Sequence, residues 1–221
     1  MDDTGQNAKY GVISDLERHF PRDGHYLLKQ SHPGMIDQWI KGHVYDPFQR
    51  IAKHKLWGTE VKDVPMIGRW LGWVPDHFPF MFFSDRVVQE IADCMAVRNE
   101  RVSGDKEDRM MAMELLSYVG LTDLAPNHPF FLSEGETKVI WLLCQWVKCP
   151  EYFIIGHLPS GLSENRLKSC LAFLLDSQSL AHSMGFSSTT FILGYLNDDP
   201  EWYGCLMAEK NWKLVKPFTL T

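Results

Sequence analysis

Leu132-Ser133-Glu134-Gly135-Glu136 opens a segment that passes through Pro150 to Tyr152-Phe153-Ile154-Ile155 and then Gly156-His157. Ser133 and Glu136 have the S-x-x-E spacing of a capping box, in which each side chain satisfies an orphan backbone amide of the other. The spacing predicts a helix start, and Thr137 to Val147 continues as helix. Tyr152 to Gly156 is an apolar run of strand length with no polar alternation, the pattern of a parallel strand buried on both faces. Ser163 can cap a helix from Glu164 to about Leu175. Thr189 to Gly194 and Gly204 to Ala208 read as two more buried strands. Helices alternating with short buried strands predict an α/β protein built on a parallel sheet.

Upstream, Tyr26-Leu27-Leu28 and Leu71-Gly72-Trp73-Val74 are strand-like, and Phe78-Pro79-Phe80-Met81-Phe82-Phe83 is an apolar loop. Ser84-Asp85 offers an N-cap for a helix over Arg86 to Arg98, where Val87, Val88, Ile91 and Met95 recur at helical spacing. Arg109 to Val119 reads as a second helix with Met113, Leu116 and Val119 on one face, closed by Gly120-Leu121-Thr122-Asp123-Leu124.

Together these stretches resemble the ATP-binding cassette (ABC) ATPases. That family's LSGGQ signature leads through a helix and a proline to an apolar Walker B strand ending Asp-Glu. A short turn ending in Asp follows. Aligned without a gap, the signature falls on Leu132 to Glu136, the proline on Pro150 and the strand on Tyr152 to Ile155. Val119-Gly120-Leu121 followed by Leu124 is similar to the family's lead into the signature, and Trp73-Val74-Pro75-Asp76 to the strand entering its Q-loop. Glu201 to Met207 with Lys210-Asn211 is similar to its closing hairpin. The resemblance is strong over residues 68–163, collinear to about 215, and poor over the first 65. It implies a RecA-like P-loop NTPase-type core, residues 1–77 and 141–221, with an inserted helical subdomain, residues 78–140, that carries the signature, all within one domain of 221 residues.

The catalytic groups are the exception. The family's Asp-Glu pair falls on Gly156 and His157, its closing Asp on Ser163, its Q-loop glutamine on Asp76 and its switch histidine on Tyr195. A phosphate loop needs G-x-x-x-x-G-K-[ST], whose amides wrap phosphate and whose lysine neutralises it. No Gly-Lys dipeptide occurs in the chain, and the collinear segment is Leu27-Leu28-Lys29-Gln30-Ser31-His32-Pro33-Gly34-Met35-Ile36-Asp37. Two readings of that segment stand: an ordinary surface turn, which is favoured, or a remodelled anion site using Lys29 and His32. Phosphoryl transfer depends on metal placement and charge compensation, and neither Gly156 nor His157 supplies them.

Composition narrows the classes. Hydrophobic content of 45% and charged content of 23% suit a globular chain. A net charge of −6 provides no basic field for nucleic acid. Nothing near the N-terminus resembles a signal peptide, and no apolar run approaches the ~20 residues needed to span a bilayer. Five cysteines without paired spacing read as reduced thiols, and no His or Cys spacing suggests a metal site.

The resemblance therefore implies a pseudo-ATPase with no catalytic residues and no nucleotide or metal at its own site. In the family two nucleotide-binding subunits face head to tail, each signature covering the ATP held by the other. Ser133, Gly135 and Glu136 are then expected to meet ATP and Mg²⁺ held by an active ABC ATPase partner. A transmembrane permease would be the second partner, with the chain cytoplasmic and peripheral on the inner face of the cytoplasmic membrane. A plainer reading makes Ser133 and Glu136 only a helix cap. The alternative function is a scaffold or regulatory subunit of a non-transport complex, and a lower-ranked one is an enzyme of unrelated chemistry that reuses the cleft around His157.

Overall fold

The computed structural model describes residues 16–22, 24–30, 32, 34–40, 71–75, 82–99, 101–157, 162–183, 189–195 and 212–215. Its elements are β1 (His25–Lys29), α1 (Met35–Ile40), β2 (Leu71–Val74), α2 (Val87–Arg98) and α3 (Lys106–Tyr118). Two 3₁₀ turns follow (Thr122–Leu124 and Pro129–Phe131), then α4 (Glu134–Trp146), β3 (Tyr152–Ile155), α5 (Glu164–Ser183), β4 (Thr190–Tyr195) and β5 (Trp212–Val215).

The five strands form one sheet in the order β2-β3-β4-β1-β5, and every pair is parallel. Alternation along each strand sends side chains to opposite faces. Leu27, Phe153, Ile155, Phe191 and Leu193 join one core with Val139, Leu142 and Leu143 of α4 and Phe173 and Leu174 of α5. Tyr26, Leu28, Tyr152, Ile154 and Ile192 join a second with Leu16, Phe20, Ile36 and Ile40. The near-continuous apolar runs of β3 and β4 follow from burial on both sides.

Several helix boundaries differ from the sequence reading. Ser84 and Asp85 do not cap α2; Arg86 is its N-cap residue and makes no side-chain cap bond. Glu90 serves instead from inside the helix, its Oε2 accepting the amides of Phe83 and Ser84 at 2.9 and 2.7 Å. The Ser84 hydroxyl donates to Asp93. α3 begins at Lys106 rather than Arg109, because Asp105 and Asp108 form a reciprocal capping box. Its buried face is Ala112, Leu115 and Leu116, continued by Val119, while Met113 is exposed. Gly120, at φ +70°, ends that helix in the left-handed conformation that glycine adopts at low cost. α4 starts at Glu134 and α5 continues to Ser183. The strand expected over Gly204 to Ala208, with Lys210 and Asn211, lies outside the described residues. Beyond it, Trp212–Val215 pairs parallel to β1.

The four described cysteines, Cys94, Cys144, Cys149 and Cys170, are unpaired. No helix among the described residues is long and apolar enough to cross a membrane.

Candidate functional site

In a parallel sheet, ligand sites lie beyond the carboxyl ends of the strands. Here those ends bring together Gln30 after β1, Gly156 after β3 and Tyr195 closing β4. The Gln30 amide donates to the Tyr195 carbonyl at 2.8 Å, and the Gly156 amide to the Val74 carbonyl at 2.8 Å. The Gln30 side chain crosses the same space. Its Nε2 donates to the Gly156 carbonyl at 2.6 Å, and its Oε1 accepts the Ile36 amide, in the first turn of α1, at 3.2 Å. Gly194 makes room for this bridge. A Cβ there would lie 2.1 Å from the Gly156 carbonyl oxygen and 2.6 Å from Gln30 Nε2.

The strand-to-helix segment is thus not simply a surface turn. Gln30 is 1% exposed, and Met35, Ile36 and Asp37 are buried. His32 is exposed and Lys29 half-buried. Met35 follows Gly34, which has φ +76°, and opens α1. Asp37 accepts a hydrogen bond from Trp73 Nε1 at 3.1 Å, and the Trp73 carbonyl accepts one from Trp141 Nε1 at 2.9 Å. α1, β2 and α4 are tied together through Trp73. Sequence reasoning missed Gln30 and the Trp73 relay. A polar residue directly after a buried strand was the available signal.

Gly156 is buried and has no side chain to hold a metal; His157 is half-buried. No cluster of three or more His, Cys, Asp or Glu side chains that could hold a metal occurs among the described residues. A water-sized cavity of about 10 Å³ lies nearby, lined by Phe20, Leu28, Met35, Ile36, Trp39, Ile154 and Ile192. The lining is wholly apolar and omits His157, so it lends nothing to chemistry at that residue.

The signature residues form a second cluster. Ser133 is the N-cap of α4 and Glu136 its N3 residue, in a complete capping box. Glu136 Oε2 accepts the Ser133 amide at 2.9 Å and the Ser133 hydroxyl at 2.8 Å, and the Glu136 amide donates to Ser133 Oγ at 3.3 Å. Arg166 of α5 donates through Nη1 to Glu136 Oε1 and through Nη2 to Asp123 Oδ2, the latter at 3.0 Å. Burial pushes the Glu136 carboxyl upward, but the Ser133 hydrogen bonds and the Arg166 charge outweigh it and hold it below its usual value. Ser133 and Glu134 are exposed, whereas Gly135 is buried. Ser163 is exposed just ahead of α5; Asp76 lies outside the described residues.

No protein-family model matches the chain. It is 26% identical over 126 residues to a "Putative ABC transporter ATP-binding protein" of Pyrococcus abyssi, a match covering 57% of this chain and 47% of that one. A protein of the same description from Pyrococcus horikoshii is 27% identical over 116 residues, 52% and 44% of the two chains. The chain therefore spans about half the length of the curated relatives it matches. Among solved structures, an ATP-binding subunit of an ABC transporter superimposes with a TM-score of 0.54 at 13% identity, covering 88% of this chain and 75% of that one. A dimeric ATP-binding cassette bound to ADP and Pi gives 0.54 at 12% identity, covering 81% and 77%. The fold is that of an ABC ATPase domain, an α/β structure with a parallel sheet consistent with a RecA-like core.

Proposed function

We propose that this chain is a non-hydrolysing ABC-type subunit that works beside a competent ABC ATPase and lends it the signature motif. The observation that carries this reading is the Gln30 bridge from the first turn of α1 to the Gly156 carbonyl. An amide aimed at phosphate in a nucleotide site is here taken by an uncharged side chain. Met35 offers no charge where a lysine is needed, and Gly156 offers no oxygen for Mg²⁺ beyond a carbonyl that Gln30 already occupies. These residues do not fit a magnesium–triphosphate, so no step of phosphoryl transfer is assigned to this chain.

In this reading residues 1–77 and 141–221 are the core and 78–140 the helical subdomain. Ser133 and the turn at Gly135 face ATP and Mg²⁺ held by the partner. Glu136 acts through its capping bond to Ser133. A permease would anchor the pair on the inner face of the cytoplasmic membrane. The similarity to ABC transporter ATP-binding proteins supports that setting.

One observation favours the alternative, a scaffold or regulatory subunit. The Ser133 hydroxyl already donates to Glu136, and the exposed Glu134 carboxylate stands at the same rim, where phosphate would meet repulsion.

The test of the empty-site reading is a thermal melt of the isolated chain with and without Mg-ATP. Ligand at 100 times its dissociation constant stabilises by ~2.7 kcal/mol. No rise in midpoint is expected; a saturable rise would overturn the reading.

A further inference from the structure

We infer that Arg166 is a positioning residue for the signature turn, holding the Ser133–Glu136 capping box in one arrangement from the neighbouring helix. The inference about the turn concerns this chain alone; its effect on a partner's ATPase rests on the reading proposed above.

Arg166 gathers three segments. Its planar fork gives one nitrogen to Glu136 of α4 and another to Asp123 of the 3₁₀ turn that precedes the signature, while its own backbone belongs to α5. The Glu136 carboxylate is held at both oxygens: Oε1 by Arg166, Oε2 by the amide and hydroxyl of Ser133. Rotating that carboxylate away from Arg166 also moves the acceptor on which Ser133 depends.

An exposed ion pair would contribute little. This one is more enclosed: the Glu136 side chain is 16% exposed and Arg166 28%, against 64% for Asp123. Arg166 lies in the first turn of α5, three residues after Ser163. A displacement of α5 is therefore passed to the cap of α4 through one guanidinium. Coupling through such a contact requires packed elements at both ends, and both helices belong to the same core.

Amide exchange followed by NMR on the isolated chain tests this. Arg166→Met keeps the apolar stem and removes the fork. It should speed exchange of the Ser133 amide by at least ~10-fold, the scale of losing a charge-supported hydrogen bond. Arg166→Lys should recover part of the protection. Arg166→Met combined with Asp123→Asn should exchange no faster than Arg166→Met alone, since Asp123 acts on the box only through Arg166. Should Arg166→Met fold poorly, Asp123→Asn loosens one arm of the fork, leaves Arg166 and Glu136 intact, and should speed Ser133 exchange by a smaller factor. Unchanged Ser133 exchange in a folded variant overturns the inference.

In the complex purified with its native partner, Arg166→Met should lower kcat for ATP at least ~3-fold with KM unchanged. Ser133→Asp in the same complex reports on the proposed function separately. If it leaves ATPase unchanged while Arg166→Met speeds exchange, action in trans fails and the positioning stands. If it abolishes ATPase while Arg166→Met leaves exchange unchanged, only the positioning fails.

Discussion

Gln30 and Gly156, 126 residues apart, are joined by a 2.6 Å hydrogen bond from a side-chain amide to a backbone carbonyl. The bond lies beyond the carboxyl ends of the strands, where open parallel sheets place ligand sites. Its partner bond to the Ile36 amide makes Gln30 a clamp between a helix start and the neighbouring strand ends.

Replacing Gln30 with leucine should therefore destabilise the chain by about 3 kcal/mol, because the Gly156 carbonyl and the Ile36 amide lose their partners inside the protein. Gln30→Glu should be worse at neutral pH, since a carboxylate cannot donate to a carbonyl. Burial would raise that carboxyl's pKa, so the variant should regain stability as pH falls and the acid becomes protonated. Neither variant should gain Mg-ATP binding, because Met35 and Gly156 are unchanged. Urea unfolding at two pH values, with an Mg-ATP titration alongside, checks all three outcomes.

Gly194→Ala tests the same cluster from the other side. The new Cβ would sit 2.1 Å from the Gly156 carbonyl oxygen. Relief requires moving β3 against β4 in the middle of the sheet, and a cost of about 3 kcal/mol is expected. A midpoint within ~0.5 kcal/mol of wild type would mean the two strand ends separate freely.

His25 should make the fold acid-sensitive. It stacks on Phe191 at 5.1 Å and leans on Trp212 at 4.9 Å, and its buried Nε2 has no hydrogen-bond partner among the described residues. Burial lowers its pKa from 6.5 to about 4. The unfolded chain then binds a proton that the folded chain refuses. Stability attributable to His25 falls as pH drops below 6.5 and levels off below about 4, a total of about 3 kcal/mol. His25→Phe keeps the stack and removes the titration. The difference between the two proteins should widen from pH 7 to pH 4.5 in urea melts, and parallel curves would rule out this origin.

Ser133→Asp is the sharper probe of action in trans. Aspartate is a good N-cap, so the isolated chain should fold with little change. An aspartate replacing Gly135 would instead be buried in this structure and could fail for reasons of folding. Facing a partner's phosphate, the carboxylate introduced by Ser133→Asp should lower ATPase of the intact complex at least ~10-fold, or ~1.4 kcal/mol. Unchanged activity with intact assembly would favour the scaffold.

Much of the architecture was legible because its signal is local. Tyr152–Ile155 and Thr190–Tyr195 are apolar almost throughout, a pattern that only burial explains. The Ser133–Glu136 box was legible because both halves lie within one turn. Helix starts were harder. The Asp105–Asp108 box uses two aspartates in place of the usual Ser/Thr and Glu, and Glu90 caps backwards from within α2. Met113 shares the spacing of Leu116 and Val119, yet the buried face is centred one residue earlier, on Ala112 and Leu115. Gln30 and Arg166 were missed because their meaning lies in distant partners: Gly156, Glu136 and Asp123 leave no mark in the sequence beside them.

The strand order has a consequence for how the chain reaches this state. Among the described residues β1 is the first strand, and it pairs with β4 and β5, so Tyr26 waits for Ile192 and Lys213. Its backbone cannot be satisfied by the sheet until β4 and β5 have been synthesised. Meanwhile the local helices α2, α3 and α4 have partners nearby in sequence. A long loop must close before β1 gains any reward, which slows the final step and leaves an apolar strand open to wrong partners. Chains interrupted after β3 should accumulate with a formed helical segment and an unpaired, aggregation-prone β1.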